Sequence, residues 1–276
     1  MQLNPRYEGP PVLRLEPVGD PSPALFRQRR RLADTLATFD ADGWAAPSRC
    51  AGWSTRDVVS HLVTTNGFWA ASMAAGRSGA PTRFLPGFDP VTTPAQLVRA
   101  ASPLSSSELL ANFVATTDAI EQVLADMDNG DWEAMAEAPP GHLALSAVAF
   151  HALWDSWVHE RDICLPLGLD VVEEPDEVAG SLRYAAALGP ALLATSGSTR
   201  IGAFAVRATE PDVSVVIEVG PSVVVHDGEA VDGLPTVAGK AVDLTEAFSC
   251  RLPTPLVPEA DRWMVNGLGV AFDQVS

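Results

Sequence analysis

Along the first part of the chain, apolar residues recur at intervals of three and four, the spacing that places them on one face of an α-helix. The pattern runs through SPALFRQRRRLADTLATF, STRDVVSHLVTTNGFWAASMAAG, TPAQLVRAAS, SSSELLANFVATTDAIEQVLADM and the long stretch LALSAVAFHALWDSWVHERDICL. Helix starts are legible too. Ser54 precedes its helix with Asp57 three residues on, and Ser105 to Ser107 precede another that contains Glu108, both in the pattern of a capping box. The stretches GRSGAPTRFLPGFDP and NGDWEAMAEAPPG, rich in Gly and Pro, read as loops. This half therefore predicts a helical bundle.

Near residue 170 the pattern changes. An acidic linker, LDVVEEPDEV, leads into one more helical stretch, SLRYAAALGPALLATS. The period then shortens to two in IGAFAVRA, VSVVIEV and PSVVVHDGEAV, which predict consecutive strands separated by turns. VDLTEAFSC and ADRWMVNGLGVAF close the chain as helices. The fold class expected is α+β, divided into an extension over 1–20, a bundle over 21–168, a linker and connecting helix over 169–198, and a small α+β domain over 199–276. No internal repeat interrupts this division.

Charge narrows the choice of partner. With 35 acidic against 18 basic residues, the formal net charge is -17, which opposes binding to nucleic acid. The one dense basic cluster, RQRRR, reads as the solvated face of the first helix. No stretch reaches the ~20 apolar residues of a membrane span, and the first residues lack the pattern of a signal peptide. Three scattered cysteines, Cys50, Cys164 and Cys250, with no CxxC, suggest a reducing compartment, a cytoplasmic location and small buried hydrophobes rather than a disulfide framework. The expected partner is a small molecule; the pattern says nothing of oligomeric state.

Candidate chemistry lies in the segment DSWVHERD. Asp155 and His159 are four residues apart and so share a helix face, with His151 one turn earlier. His61 occupies an apolar stripe of a second helix. A bundle can bring such helices face to face, and two histidines with one carboxylate and open positions describe a catalytic divalent-metal site. An Asp and His pair at this spacing also often does no more than hydrogen-bond within its helix, and spacing alone leaves both readings open.

At these same residues the chain resembles a family. CAGWSTRDVVSHL and HALWDSWVHERDI are similar to the metal motifs of the DinB-like, mycothiol-dependent maleylpyruvate isomerase superfamily, and VDLTEAFSCRLP with RWMVNGLGVAFD resembles the sterol-carrier-like domain that follows the bundle in many members. The resemblance implies a DinB-like four-helix bundle followed by a small sterol-carrier-like α+β domain that closes over the site. It implies His61, Asp155 and His159 as ligands of a divalent metal, zinc by preference, with Asp155 standing where the isomerase has a glutamate. It also implies mycothiol or a similar small thiol as cosubstrate, used to isomerise or S-conjugate an electrophilic small molecule. Trp53, Asn66 and Trp69 around the first motif are candidates for the pocket lining, and Arg251 for a carboxylate clamp. Two other functions stay in view: a metal-dependent hydrolase, for which Glu160 and Asp162 are the nearby candidate bases, and a non-catalytic ligand-binding protein.

Overall fold

The computed structural model describes residues 3–101, 104–266 and 268–269. In chain order the elements are β1 (Leu13–Glu16), α1 (Ser22–Ala37), α2 (Ala41–Ala45), α3 (Thr55–Arg77), α4 (Thr92–Ala100), α5 (Ser106–Leu124), β2 (Met135–Ala138), β3 (Gly141–Ala144), α6 (Leu145–Cys164) and α7 (Pro175–Thr195). There follow β4 (Gly202–Thr209), β5 (Val213–Val219), β6 (Val223–Asp227), β7 (Thr236–Lys240), α8 (Ala241–Phe248) and α9 (Arg262–Val265). The α+β class is as the pattern predicts. Outside the described residues lie the first two positions of the 1–20 extension, Ser102 at the end of TPAQLVRAAS and, of the closing ADRWMVNGLGVAF, residue 267 and everything from 270 on.

Helices α1, α3, α5 and α6 form the four-helix bundle. Both expected capping boxes are present: the Ser54 side chain accepts from the Asp57 backbone N–H while Asp57 accepts from that of Ser54, and Ser105 and Glu108 do the same for α5. These contacts satisfy backbone donors that a helix start otherwise leaves unpaired. Beside the bundle, α7 packs on α6 with one face and on the sheet and α8 with the other. A single apolar cluster consequently runs from Leu25 and Trp69 in the bundle, through Leu182 and Leu188 of α7, to Phe204, Val215 and Ile217 of the sheet. Bundle and sheet share one core.

The sheet has the order β1-β6-β5-β4-β7. The three strands read from the period of two are the central β6, β5 and β4, paired antiparallel. Both edges are additions that the pattern did not show. β1, inside the expected 1–20 extension, pairs parallel with β6, Leu13 opposite Val223, and alternates buried Leu13 and Leu15 with exposed Arg14 and Glu16. β7 pairs parallel with β4. A short hairpin of β2 and β3 begins within NGDWEAMAEAPPG, expected to be a loop, and takes in Leu143 and Ala144, expected to open the long helix; its Glu137 is a buried carboxylate accepting from Tyr7 Oη at 2.6 Å, Thr82 Oγ1 at 2.7 Å and the backbone N–H groups of Phe84 and Leu85. Four-residue strands carry too little alternation to be recognised without their partners.

α6 is the axis of the molecule. Packed by α1, α3 and α7, it buries every residue except the half-buried Phe150, including Asp155, His159, Glu160, Arg161 and Asp162. Buried charges need partners, and α1 supplies several. RQRRR is therefore not a solvated face. Gln28 and Arg29 are fully buried; Gln28 Nε2 donates to Glu160, and Arg31 bridges Glu160 of α6 and Glu177 of α7. Arg27 pairs with Asp176 and Glu177. Only Arg30, paired with Glu121, keeps an exposed position. The acids that turn the cluster inward are more than a hundred residues away in the chain, out of reach of a local pattern. All three cysteines are free, and among the described residues no helix is long and apolar enough to cross a membrane.

Candidate functional site

The capped start of α3 places His61 two turns into that helix, where α3 crosses α6. Across the crossing stand Asp155 and His159. Asp155 Oδ1 lies 3.6 Å from His61 Nε2 and 3.5 Å from His159 Nε2, and the ligand atoms of the three side chains all lie within 4.8 Å of one another. These separations are long for hydrogen bonds. They match the edge of a tetrahedron with bonds of about 2.05 Å, roughly 3.3–3.4 Å, the bond length of zinc to nitrogen and oxygen. The second Asp155 oxygen, Oδ2, lies 3.3 Å from Thr65 Oγ1, whose single O–H it shares with the Leu62 carbonyl at 3.2 Å, and Oδ1 is the oxygen turned to the histidines. Burial alone would raise the Asp155 pKa, but the close approach and charge of His61, with His159 and His151 behind, outweigh it and hold the carboxyl well below the usual range.

His159 is gripped from its other side. Its Nδ1 lies 3.0 Å from Asp162 Oδ2, so that Nδ1–H donates to the carboxylate and Nε2 is turned to Asp155. Burial lowers the affinity of His159 for a proton, yet the Asp162 hydrogen bond, Cys50 and Asp155 together raise its pKa to about 10. Asp162 is itself a hub with no exposed surface on its side chain. It accepts from Arg251 Nε at 2.8 Å and Nη2 at 2.7 Å, from Arg49 Nε at 3.1 Å and from Cys50 Sγ at 3.2 Å. Arg49 Nη1 continues to Glu246 of α8, which also accepts from Arg161. Cys50, His159 and Asp162 form a second group of ligand-type atoms. Two guanidinium groups on Asp162 repel a cation there, so this group supports the first rather than rivalling it.

The family described as the mycothiol maleylpyruvate isomerase N-terminal domain matches residues 25–164, which contain His61, Asp155, His159 and Asp162. The chain belongs to this family. Among solved structures, the crystal structure of the mycothiol-dependent maleylpyruvate isomerase is similar with a TM-score of 0.58 at 13% identity, over 86% of this chain and 90% of that one. A histidine-to-alanine mutant of that isomerase is similar with the same TM-score at 14% identity, over 86% of this chain and 94% of that one. At such identity the likeness is one of fold, and it extends past the bundle into the sheet. No curated protein matches the chain.

The remaining residues singled out from the sequence have diverse places in this isomerase-family fold. Trp53 lies with its ring 5.5 Å from that of His61. Trp69 is nearly buried and packs its ring at 4.6 Å on His151. Asn66 is fully buried, with Nδ2 donating to Thr116 Oγ1. Arg251, in the segment after α8, lies beside the site with its guanidinium engaged: Nε and Nη2 on Asp162, Nη1 on the Ser249 carbonyl. Its carboxylate is internal. Arg161 is spent in ion pairs with Glu246 and Glu173.

Sequence reasoning missed the hub. Cys50 was expected to be a small buried hydrophobe and instead is half-buried with its sulfur at the site, 3.7 Å from His159 Nδ1. Asp162, three residues after His159, carried a signal in its spacing, since i and i+3 lie on adjoining parts of a helix face. Arg49 and Glu246 carried none. His151 sits within the bundle core between Trp69, Trp154 and Tyr184 and makes a 2.5 Å hydrogen bond to Tyr184 Oη through Nδ1.

Proposed function

We propose that this protein is a thiol-dependent enzyme of the maleylpyruvate isomerase type, which holds a divalent ion, zinc by preference, on His61, Asp155 and His159 and adds mycothiol or a similar small thiol to an electrophilic small molecule. The observation that carries the reading is the set of 3.5 and 3.6 Å separations around Asp155 Oδ1, too long for hydrogen bonds and suited to three ligands of one ion. An ion so bound supplies Lewis acidity, lowering the pKa of a thiol or polarising a carbonyl at neutral pH. The chain's own contribution is orientation. Asp162 fixes the tautomer and ring plane of His159, Thr65 shares its O–H with the second oxygen of Asp155, and the arginines on Asp162 keep that support ionised.

The names of the structural relatives favour mycothiol as the thiol and maleylpyruvate as the first substrate to try. The hydrolase reading is weaker, because both candidate bases are spent: Glu160 on Arg31 and Gln28, and Asp162 on Arg49 and Arg251. Elemental analysis is the direct test. One divalent ion per chain is expected in the purified protein, lost in His61→Ala and in His159→Ala. Turnover of maleylpyruvate is expected only when a low-molecular-weight thiol is added. Unchanged metal content in the variants, or turnover without thiol, overturns the proposal.

A further inference from the structure

His151 is a buried histidine that the ligand set does not use. It stands one helical turn before Asp155 on the same face of α6, close enough that the charges of Asp155 and His61 both act on it. Its ring is fixed from three helices: Trp69 of α3 at 4.6 Å, Trp154 of α6 at 5.3 Å in an edge arrangement, and Tyr184 of α7 at 5.0 Å. Nδ1 and Tyr184 Oη are 2.5 Å apart. The direction of that bond follows from accounting for donors. Tyr184 is fully buried, and its hydroxyl has no other partner among the described residues. Were it to accept from Nδ1–H, its own O–H would be left unpaired, at a cost of about 1–3 kcal/mol. The hydroxyl therefore donates, Nδ1 accepts, and a neutral ring must carry its proton on Nε2.

Burial keeps the ring neutral. It lowers the His151 pKa to about 4, the negative Asp155 opposing and His61 reinforcing the shift. Among the described residues Nε2 has no hydrogen-bond partner, and His151 retains 6% of its surface exposed where Tyr184 retains none. A neutral imidazole held as a fixed N–H donor is a known way to stabilise an oxygen that gains negative charge, because it gives a hydrogen bond without giving up its proton.

We propose that His151, positioned by Tyr184, is a second point of substrate contact, its Nε2–H donating to the carbonyl or carboxylate oxygen of a conjugated, unsaturated small molecule. This rests on the thiol-addition reading. As sulfur bonds to the β-carbon, the π pair of the double bond shifts towards the carbonyl and leaves its oxygen enolate-like; Nε2–H donates to that oxygen and keeps its proton. When the C–S bond breaks again, the pair returns to the carbon–carbon bond and the thiolate leaves, so the balance closes without any proton passing through His151. Tyr184 acts only through His151.

Nitrogen-15 NMR of histidine-labelled protein at pH 7 is expected to show His151 neutral with the proton on Nε2, and that preference to be lost in Tyr184→Phe. Maleate, an unsaturated dicarboxylate, is the binding probe in the absence of added thiol: its carboxylate already carries the charge that the substrate carbonyl oxygen gains only during reaction, so it should move the Nε2–H proton resonance downfield and bind at least tenfold more weakly to His151→Phe. With maleylpyruvate and mycothiol, His151→Phe should lower kcat about 10²-fold with KM changed less than threefold and metal content unchanged, and His151→Gln, which keeps an N–H donor, should recover part of the loss. A proton on Nδ1, a Nε2–H resonance indifferent to maleate, or a kcat in His151→Phe within threefold of wild type overturns the proposal. A wild-type protein that binds maleate through Nε2–H yet turns over nothing refutes the thiol-addition reading instead.

Discussion

Asp162→Asn is the sharpest perturbation of the site's support. The carboxylate has no exposed surface and accepts from Arg251 twice, from Arg49, from His159 and from Cys50, at 2.7 to 3.2 Å. An amide of the same shape keeps one acceptor oxygen but turns an N–H pair towards donors, and it removes the negative charge between two guanidinium groups. Breaking a buried ion pair by removing one partner costs about 3–5 kcal/mol. Arg49 and Arg251 retain 22% and 20% side-chain exposure, so water recovers part of this, and a loss of about 3 kcal/mol is expected. For a chain of this size that lowers Tm by roughly 6–12 °C. Urea unfolding measures it directly, as a lower midpoint at unchanged slope. In a double-mutant cycle with Arg251→Met, the two losses should fall short of additive by more than about 1 kcal/mol, since both remove one interaction. Freed from Nδ1, the His159 ring should also lose its fixed tautomer, and zinc affinity should fall about 10–100-fold. A loss below about 1 kcal/mol, or strict additivity, would refute the account of Asp162 as a buried counter-charge.

Two further outcomes are expected. Gly141 has φ +127°, and a Cβ there would overlap the backbone of Arg6, which bridges Pro140 and His142 by hydrogen bonds of 2.9 Å; Gly141→Ala should cost about 2–3 kcal/mol and speed hydrogen exchange at the Arg6 and His142 amides, and exchange as slow as wild type would contradict it. For His151, the folded pKa of about 4 lies below an unfolded value of about 6.5, so the unfolded chain binds the extra proton between those values. Its contribution to stability is thus full above pH 6.5 and lost as pH falls through 6.5 to 4, about 3 kcal/mol in all. Urea midpoints of His151→Gln should fall less steeply than wild type over that window, and parallel curves would show that the ring does not titrate as its burial requires.

Much of the architecture was legible in the chain alone, for a local reason. A helix is declared by a period of 3.6 and by its caps, both contained within a few turns, so α1, α3, α5, α6 and α7 and the capping boxes at Ser54 and Ser105 were readable, as were β4, β5 and β6 from their period of two. The convergence of Asp155 and His159 was fixed by helical spacing, and His61 was marked by its place in an apolar stripe. What the tertiary structure alone decided are the relations between distant segments. β1 exists as a strand because β6 is beside it, and Arg27 and Arg31 of α1 turn inward because Glu160 and Glu177 wait there. The Asp162 hub draws its partners from the loop before α3 and the segment after α8, and the Tyr184 to His151 hydrogen bond joins α7 to α6. Each is a buried polar contact, stable only where packing has excluded water, and packing is a property of the assembled core rather than of any stretch of sequence.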